Sequence, residues 1–145
     1  MENVDKELYK QLHESQAKYT YFLLAGAASG IAFAISDTRD SNIAWSMLPL
    51  GISVFCWALS FFAGCRNRQY FHSTLYANFN MILVEEGRHP DIPQHPQLVA
   101  VATEGIKKAA EENSTTANKW AHRQFWLLVI GGLFYVLWHI IRMCR

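Results

Sequence analysis

Three long apolar runs dominate the chain, and between them lie polar segments whose apolar residues recur every three to four positions. The runs extend from Tyr19 to Ser36, from Ile43 to Cys65 and from Gln124 to Ile141, and none contains Asp, Glu, Lys or Arg. A helix rising about 1.5 Å per residue needs about 20 residues, with about 17 as the short limit, to cross the hydrocarbon core of a bilayer. The pattern therefore predicts three transmembrane helices, 19–36, 43–65 and 124–141. Trp45, Trp126 and Trp138, with Tyr19 and Tyr21, fall near the ends of these runs, where interfacial aromatics are expected.

The polar segments are also read as helical. Phe71, Leu75, Phe79 and Ile82–Leu83 follow the helical period and continue the second span through 66–86. Gly87 is a stop signal, and Pro90, Pro93 and Pro96 exclude a helix across 88–96. A further helix is expected from about Gln97, with Val99, Ala102, Ile106 and Ala109–Ala110 on one face, a break or polar turn at Asn113–Thr116, and 117–123 leading into the third span. Val4, Leu8, Leu12 and Tyr19 form a stripe on an amphipathic helix over 1–18 that either packs on the central section or lies on the membrane surface. The predicted fold is an all-α integral membrane protein with three transmembrane helices and a cytoplasmic helical hairpin between spans two and three. Its parts are the N-terminal helix 1–18, the transmembrane hairpin 19–65, the hairpin 66–123 with its proline tip 88–96, and the third span and short external tail 124–145.

Charge sets an expected orientation. Thirteen Lys and Arg nearly balance twelve Asp and Glu, so no global excess points to nucleic acid. Lys18, Arg66, Arg68, Lys119 and Arg123 flank the spans on one side, and ten of the thirteen basic residues lie there if that side is cytoplasmic. The loop from Asp37 to Asn42 and the C-terminus are then external, although Arg142 and Arg145 run against the rule. The expected location is a bacterial inner membrane with the N-terminus in the cytoplasm. Ala32-Phe33-Ala34 resembles a signal-peptide cleavage site, but the leader is net acidic, so cleavage is disfavoured.

Candidate chemistry is sparse. Away from their ends the spans offer Ser29, Ser53, Cys56 and Ser60 as small polar groups, with His139 near the outer end of the third, and no Asp, Glu, Lys or Arg, which argues against ion coupling. Cys56, Cys65 and Cys144 form no metal or disulfide pattern. His89, Asp91 and His95 beside the prolines are too few and too loosely placed to predict a metal, and a haem between His72 and His122 is disfavoured by their unequal depth. No catalytic motif occurs, so no enzyme activity, cofactor or metal is expected.

Small residues are the stronger signal. Gly26, Ser29 and Gly30 on the first span, Cys56, Ser60 and Gly64 on the second, and Gly131 and Gly132 on the third allow close helix approach, within one protomer or between copies. Arg66, Arg68, Lys119 and Arg123 form a basic collar that contacts lipid headgroups. His89, Pro90, Asp91, Pro93 and His95 form a tip available to a partner. These features predict a non-enzymatic, self-associating protein that acts on the bilayer as a small channel or membrane-perturbing effector. The alternative is an anchor or assembly factor whose hairpin docks a cytoplasmic or membrane protein. The partners expected are the lipid bilayer, further copies of the chain and such a protein, with no nucleic acid.

Overall fold

A computed structural model describes residues 2–39, 45–93 and 95–144, the side chains of 2–6, 8–10, 12 and 13 excepted. Among the described residues the protein is all helical. Three helices carry nearly the whole chain, α1 over Glu2–Asp37, α2 over Leu48–Glu85 and α3 over Pro96–Met143, with one 3-10 turn at Trp45–Met47. Each contains an apolar stretch long enough to cross a membrane, within Glu14–Asp37, Trp45–Glu85 and Pro96–Met143. With 36, 38 and 48 residues, the helices measure about 54, 57 and 72 Å, well beyond a hydrocarbon core of about 30 Å.

The helices are longer than the predicted segments. Residues 1–18 and 19–36 were expected as separate elements, yet α1 runs through their boundary without a break. No Pro or Gly stands there to interrupt the hydrogen-bond ladder. The same holds at Asn113–Thr116, which continues α3 as a polar turn. Thr116 Oγ1 donates back to the Glu112 carbonyl at 2.8 Å, so the hydroxyl is satisfied inside the helix. The side chains of the stripe Val4, Leu8 and Leu12, the start of the second span at Ile43 and half of the predicted external loop fall outside what is described.

Helix ends follow local chemistry. Gly87 takes φ +68°, while Arg88 N–H donates to Leu83 O at 2.8 Å and Gly87 N–H donates to Val84 O at 3.1 Å. That pair of bonds is a Schellman cap, which satisfies the last carbonyls of α2 and requires a left-handed residue at this position. α3 opens with Pro96, where a missing N–H is harmless, and the His95 carbonyl accepts its first bond from Val99 at 3.0 Å.

The chain divides into two compact units, Met1–Gly64 with Ala121–Arg145, and Cys65–Trp120. In the first, Leu23, Ala27 and Ala34 of α1, Leu50, Ser53, Trp57 and Ser60 of α2, and Gln124 and Trp138 of α3 are buried. Large apolar side chains cover its outside, including Phe22, Phe33, Phe55 and Leu133. An exterior of this kind is unfavourable in water and favourable in hydrocarbon. Trp45, Trp126, Tyr19 and Tyr21 are on that exterior, but Trp138, expected at the interface, is only 3 % exposed and fills the core. In the second unit the buried positions are Asn67 and Val84 of α2 with Ala110 and Ala117 of α3. Of the apolar stripe read from the sequence, Phe71 and Leu83 are half-buried, while Leu75, Phe79 and Ile82 are exposed.

Glycines mark two close approaches to Trp57. A Cβ on Gly30 would come within 2.8 Å of the Trp57 ring, and one on Gly131 within 2.6 Å, whereas Gly51 faces open space. Gly30→Ala and Gly131→Ala are expected to lower unfolding stability by about 1–3 kcal/mol through overpacking. Gly51→Ala should be neutral or slightly stabilising. Equilibrium unfolding in mixed detergent micelles compares the three.

Candidate functional site

Two of the polar groups that the sequence places inside apolar runs, Ser53 and Ser60, join helices. On α2, Ser53 and Ser60 stand seven residues apart; on α3, so do Gly131 and Gln124. Ser53 Oγ donates to Gly131 O at 2.7 Å, and Ser60 Oγ donates to Gln124 O at 2.7 Å, so the two helices run antiparallel in heptad register. A helical carbonyl keeps a second lone pair after its own ladder bond, which lets it accept from a neighbouring helix. Both serines and Gln124 are fully buried. In the second unit Asn67, seven residues after Ser60, donates through Nδ2 to Ala117 O at 2.7 Å, and Ala117 lies seven before Gln124.

Trp57 carries the contact with α1. Its ring packs between Gly30 of α1 and Gly131 of α3, and its Nε1 donates to Leu128 O at 3.2 Å. The indole thus buries its large apolar surface and still satisfies its one donor. Tyr135 stands 5.6 Å from Trp57 and 5.8 Å from Trp138, ring centre to ring centre, making an aromatic column along α3. Beyond it, Arg142 lies 5.4 Å from the Trp138 ring centre and 3.3 Å from an Asp37 carboxylate oxygen; the Tyr135 hydroxyl lies 3.5 Å from the other oxygen. Asp37 therefore offsets the charge of Arg142 within this unit.

Gln124 is less well satisfied. Its Nε2 reaches the Thr20 carbonyl only at 3.5 Å, and its Oε1 has no hydrogen-bond partner. The side chain fits because Gly64 leaves the space; a Cβ there would meet Nε2 at 2.5 Å and Leu24 at 2.7 Å.

The residues singled out from the sequence separate into distinct places. Gly30, Ser60, Gly64 and Gly131 lie in helix contacts inside the first unit, and Gly26 touches the Leu128 side chain at its margin. Cys56 is half-buried, Ser29 is exposed, and Gly132 has open space where its side chain would be. Of the basic residues, Arg66, Arg68 and Lys119 belong to the second unit and Arg123 to the first. His89 accepts a bond from the Asp91 N–H through Nδ1 at 3.2 Å, and Pro90, Asp91, Pro93 and His95 are exposed. Among the described residues, no three His, Cys, Asp or Glu side chains form a group able to hold a metal ion. His122 accepts from Trp126 Nε1 at 2.9 Å, while the His72 ring stands edge-on to Phe71 at 6.5 Å.

Sequence reasoning passed over Ser53 as a helix contact, and Trp57, Gln124 and Trp138 as members of the packing core. Their signal is a heptad: Ala110, Ala117, Gln124, Gly131 and Trp138 occupy every seventh position of α3, and all five are buried. Such a seam is the sequence mark of helices that pack at a shallow angle. The second unit also holds an open groove of about 630 Å³, where Gln69, His72, Tyr76 and Asn80 face Ile106 and Asn113. No protein family, curated protein or solved structure matches the chain.

Serine donors and the glutamine should respond oppositely to removal. Ser60→Ala leaves a packed contact without its bond and is expected to lose about 0.6–1.7 kcal/mol. Gln124→Met keeps the shape and removes an unpartnered oxygen, so its stability should be unchanged or higher. Unfolding midpoints of both variants in the same detergent check the pair.

Proposed function

We propose that the protein is a non-enzymatic membrane protein that self-associates and acts on the bilayer as a small channel or membrane-perturbing effector. The observation that carries this reading is on α1. Gly30 is consumed against Trp57, yet Ala25, Ala28, Ser29 and Ala32 remain exposed on a helix whose neighbours turn large apolar residues outward. Small side chains gain little from lipid but let a second helix approach closely. Ser29 then supplies a hydroxyl at the contact between copies. The spans provide no Asp, Glu, Lys or Arg for coupled transport, which favours passive permeation through hydroxyl and backbone groups.

In this reading 66–123 is a cytoplasmic helical hairpin, the N-terminus shares its side, and the membrane is the inner membrane of a bacterium. The clustering of Lys18, Arg66, Arg68, Lys119 and Arg123 beside the apolar runs supports that orientation. Pairing of Arg142 with Asp37 removes an isolated cation from the opposite end and weakens the one contrary signal.

A second reading, an anchor or assembly factor, draws on the second unit. Leu75, Tyr76, Phe79 and Ile82 are exposed there, an apolar surface suited to a docked protein.

Size analysis of the full chain in mild detergent is expected to give a discrete oligomer, and vesicles holding it should leak a small dye. Ala25→Leu and Ser29→Leu should reduce both while leaving helix content unchanged. A monomer in sealed vesicles would exclude the channel reading. In that event, replacing 88–96 with a Gly-Ser linker should abolish partner capture if the anchor reading holds, while exchanging the spans for unrelated ones should not.

A further inference from the structure

Arg66 and Arg68 are the first cations after the apolar run that ends at Cys65, and both are held in place. Arg66 Nη1 donates to Gln69 Oε1 at 2.7 Å, and Nη2 donates to the Tyr70 hydroxyl at 3.2 Å. Its guanidinium carbon lies 5.2 Å from the centre of the Tyr70 ring. Arg68 places its own guanidinium carbon 5.1 Å from the Phe71 ring centre. Each platform is three or four residues further along α2, so both side chains extend away from the apolar run. Both arginines are half-buried, whereas Lys119 in the same unit is exposed.

We propose that Arg66 and Arg68 are two preorganised seats for the phosphate of anionic phospholipids, one on each flank of α2. Residues two apart on a helix do not share a face, so the arginines serve separate lipids. Asn67 between them is directed at the Ala117 carbonyl, which closes the face they flank. The arginines follow the last apolar residue by about 1.5 and 4.5 Å along the helix axis, the depth of headgroups if α2 crosses the membrane. A guanidinium presents a planar fork that matches two phosphate oxygens. Arg66 has five N–H donors and engages two groups within the chain, leaving donors for an external acceptor. Because each guanidinium already rests beside an aromatic ring, and that of Arg66 is also hydrogen-bonded, binding a phosphate sacrifices little side-chain freedom. A zwitterionic headgroup fits less well, since its choline cation competes for the same oxygens and meets like charge.

The test reconstitutes the full chain in vesicles of phosphatidylcholine with a minority of phosphatidylglycerol, then counts retained lipid by native mass spectrometry. Wild type is expected to retain one phosphatidylglycerol for each arginine. Arg66→Gln and Arg68→Gln should each lose one, and the double variant both. Arg66→Lys and Arg68→Lys keep the charge but not the fork or platform, and should lose nearly as much; Lys119→Gln should lose nothing. Helix content by circular dichroism in the same vesicles confirms that the variants are folded. Retention unchanged in the glutamine variants overturns the proposal. So does full retention in the lysine variants, which would make the arginines an ordinary charge collar. Displacement by added inorganic phosphate also overturns it, by making the ligand a solution anion. None of these outcomes depends on whether the protein is an oligomer or makes vesicles leak.

Discussion

Helix-to-helix hydrogen bonds onto backbone carbonyls set the geometry of the first unit. A serine hydroxyl reaches a carbonyl on the next helix at 2.7 Å only when the two backbones are unusually close, because the side chain is one bond long beyond Cβ. Ser53 and Ser60 therefore demand small neighbours, and Gly131 and Gly64 provide the space. The seven-residue repeat follows, since only positions returning to the same face can all make that approach. Trp57 then fills what close approach leaves open, and Gly30 brings α1 against the other side of its ring. In apolar surroundings dispersion and these bonds do the work that water expulsion does in a soluble core.

The three helices were legible because their apolar runs are long and free of charge, and Gly87 with Pro96 marked where α2 stops and α3 starts. Continuity was harder to read. Composition changes sharply at Lys18–Tyr19 and again at Asn113–Thr116, but a change in polarity does not break a backbone ladder. The small residues were visible as a set, yet a pattern of i and i+4 glycines does not say which partner they meet. Gly30 and Gly131 meet the same tryptophan, a relation between three distant segments that no local window contains. Trp138 misled for the opposite reason. Its place near the end of a run suggested the interface, whereas its heptad position governs its burial. The spacing of Phe71, Leu75, Phe79 and Ile82–Leu83 marked a helix correctly, but it defines a face without naming what covers it, and Leu75, Phe79 and Ile82 are exposed.

Polarity in this protein divides by depth and direction. Buried Ser53, Ser60 and Asn67 are neutral and hydrogen-bonded to carbonyls of α3, Thr20 bonds within its own helix, and the Gln124 oxygen has no partner. Charges gather beyond the apolar runs, and there several are positioned by aromatic rings: Arg66 by Tyr70, Arg68 by Phe71 and Arg142 by Trp138. An arginine so placed holds its hydrocarbon stem along apolar surface and keeps its donors at the wet end.

The serine bonds from α2 to α3 join residues more than sixty positions apart, so they are unavailable to a chain whose third helix has not yet been synthesised. A lone α2 must still satisfy Ser53 and Ser60, and a helical serine does so by donating to the carbonyl four residues back. Arrival of α3 exchanges those internal bonds for bonds between helices. The exchange adds little energy by itself, yet it fixes the axial register, since sliding by one residue would aim both hydroxyls away from their carbonyls. The serines thus act as an assembly gauge, neutral while the chain is incomplete and selective once the last helix is present.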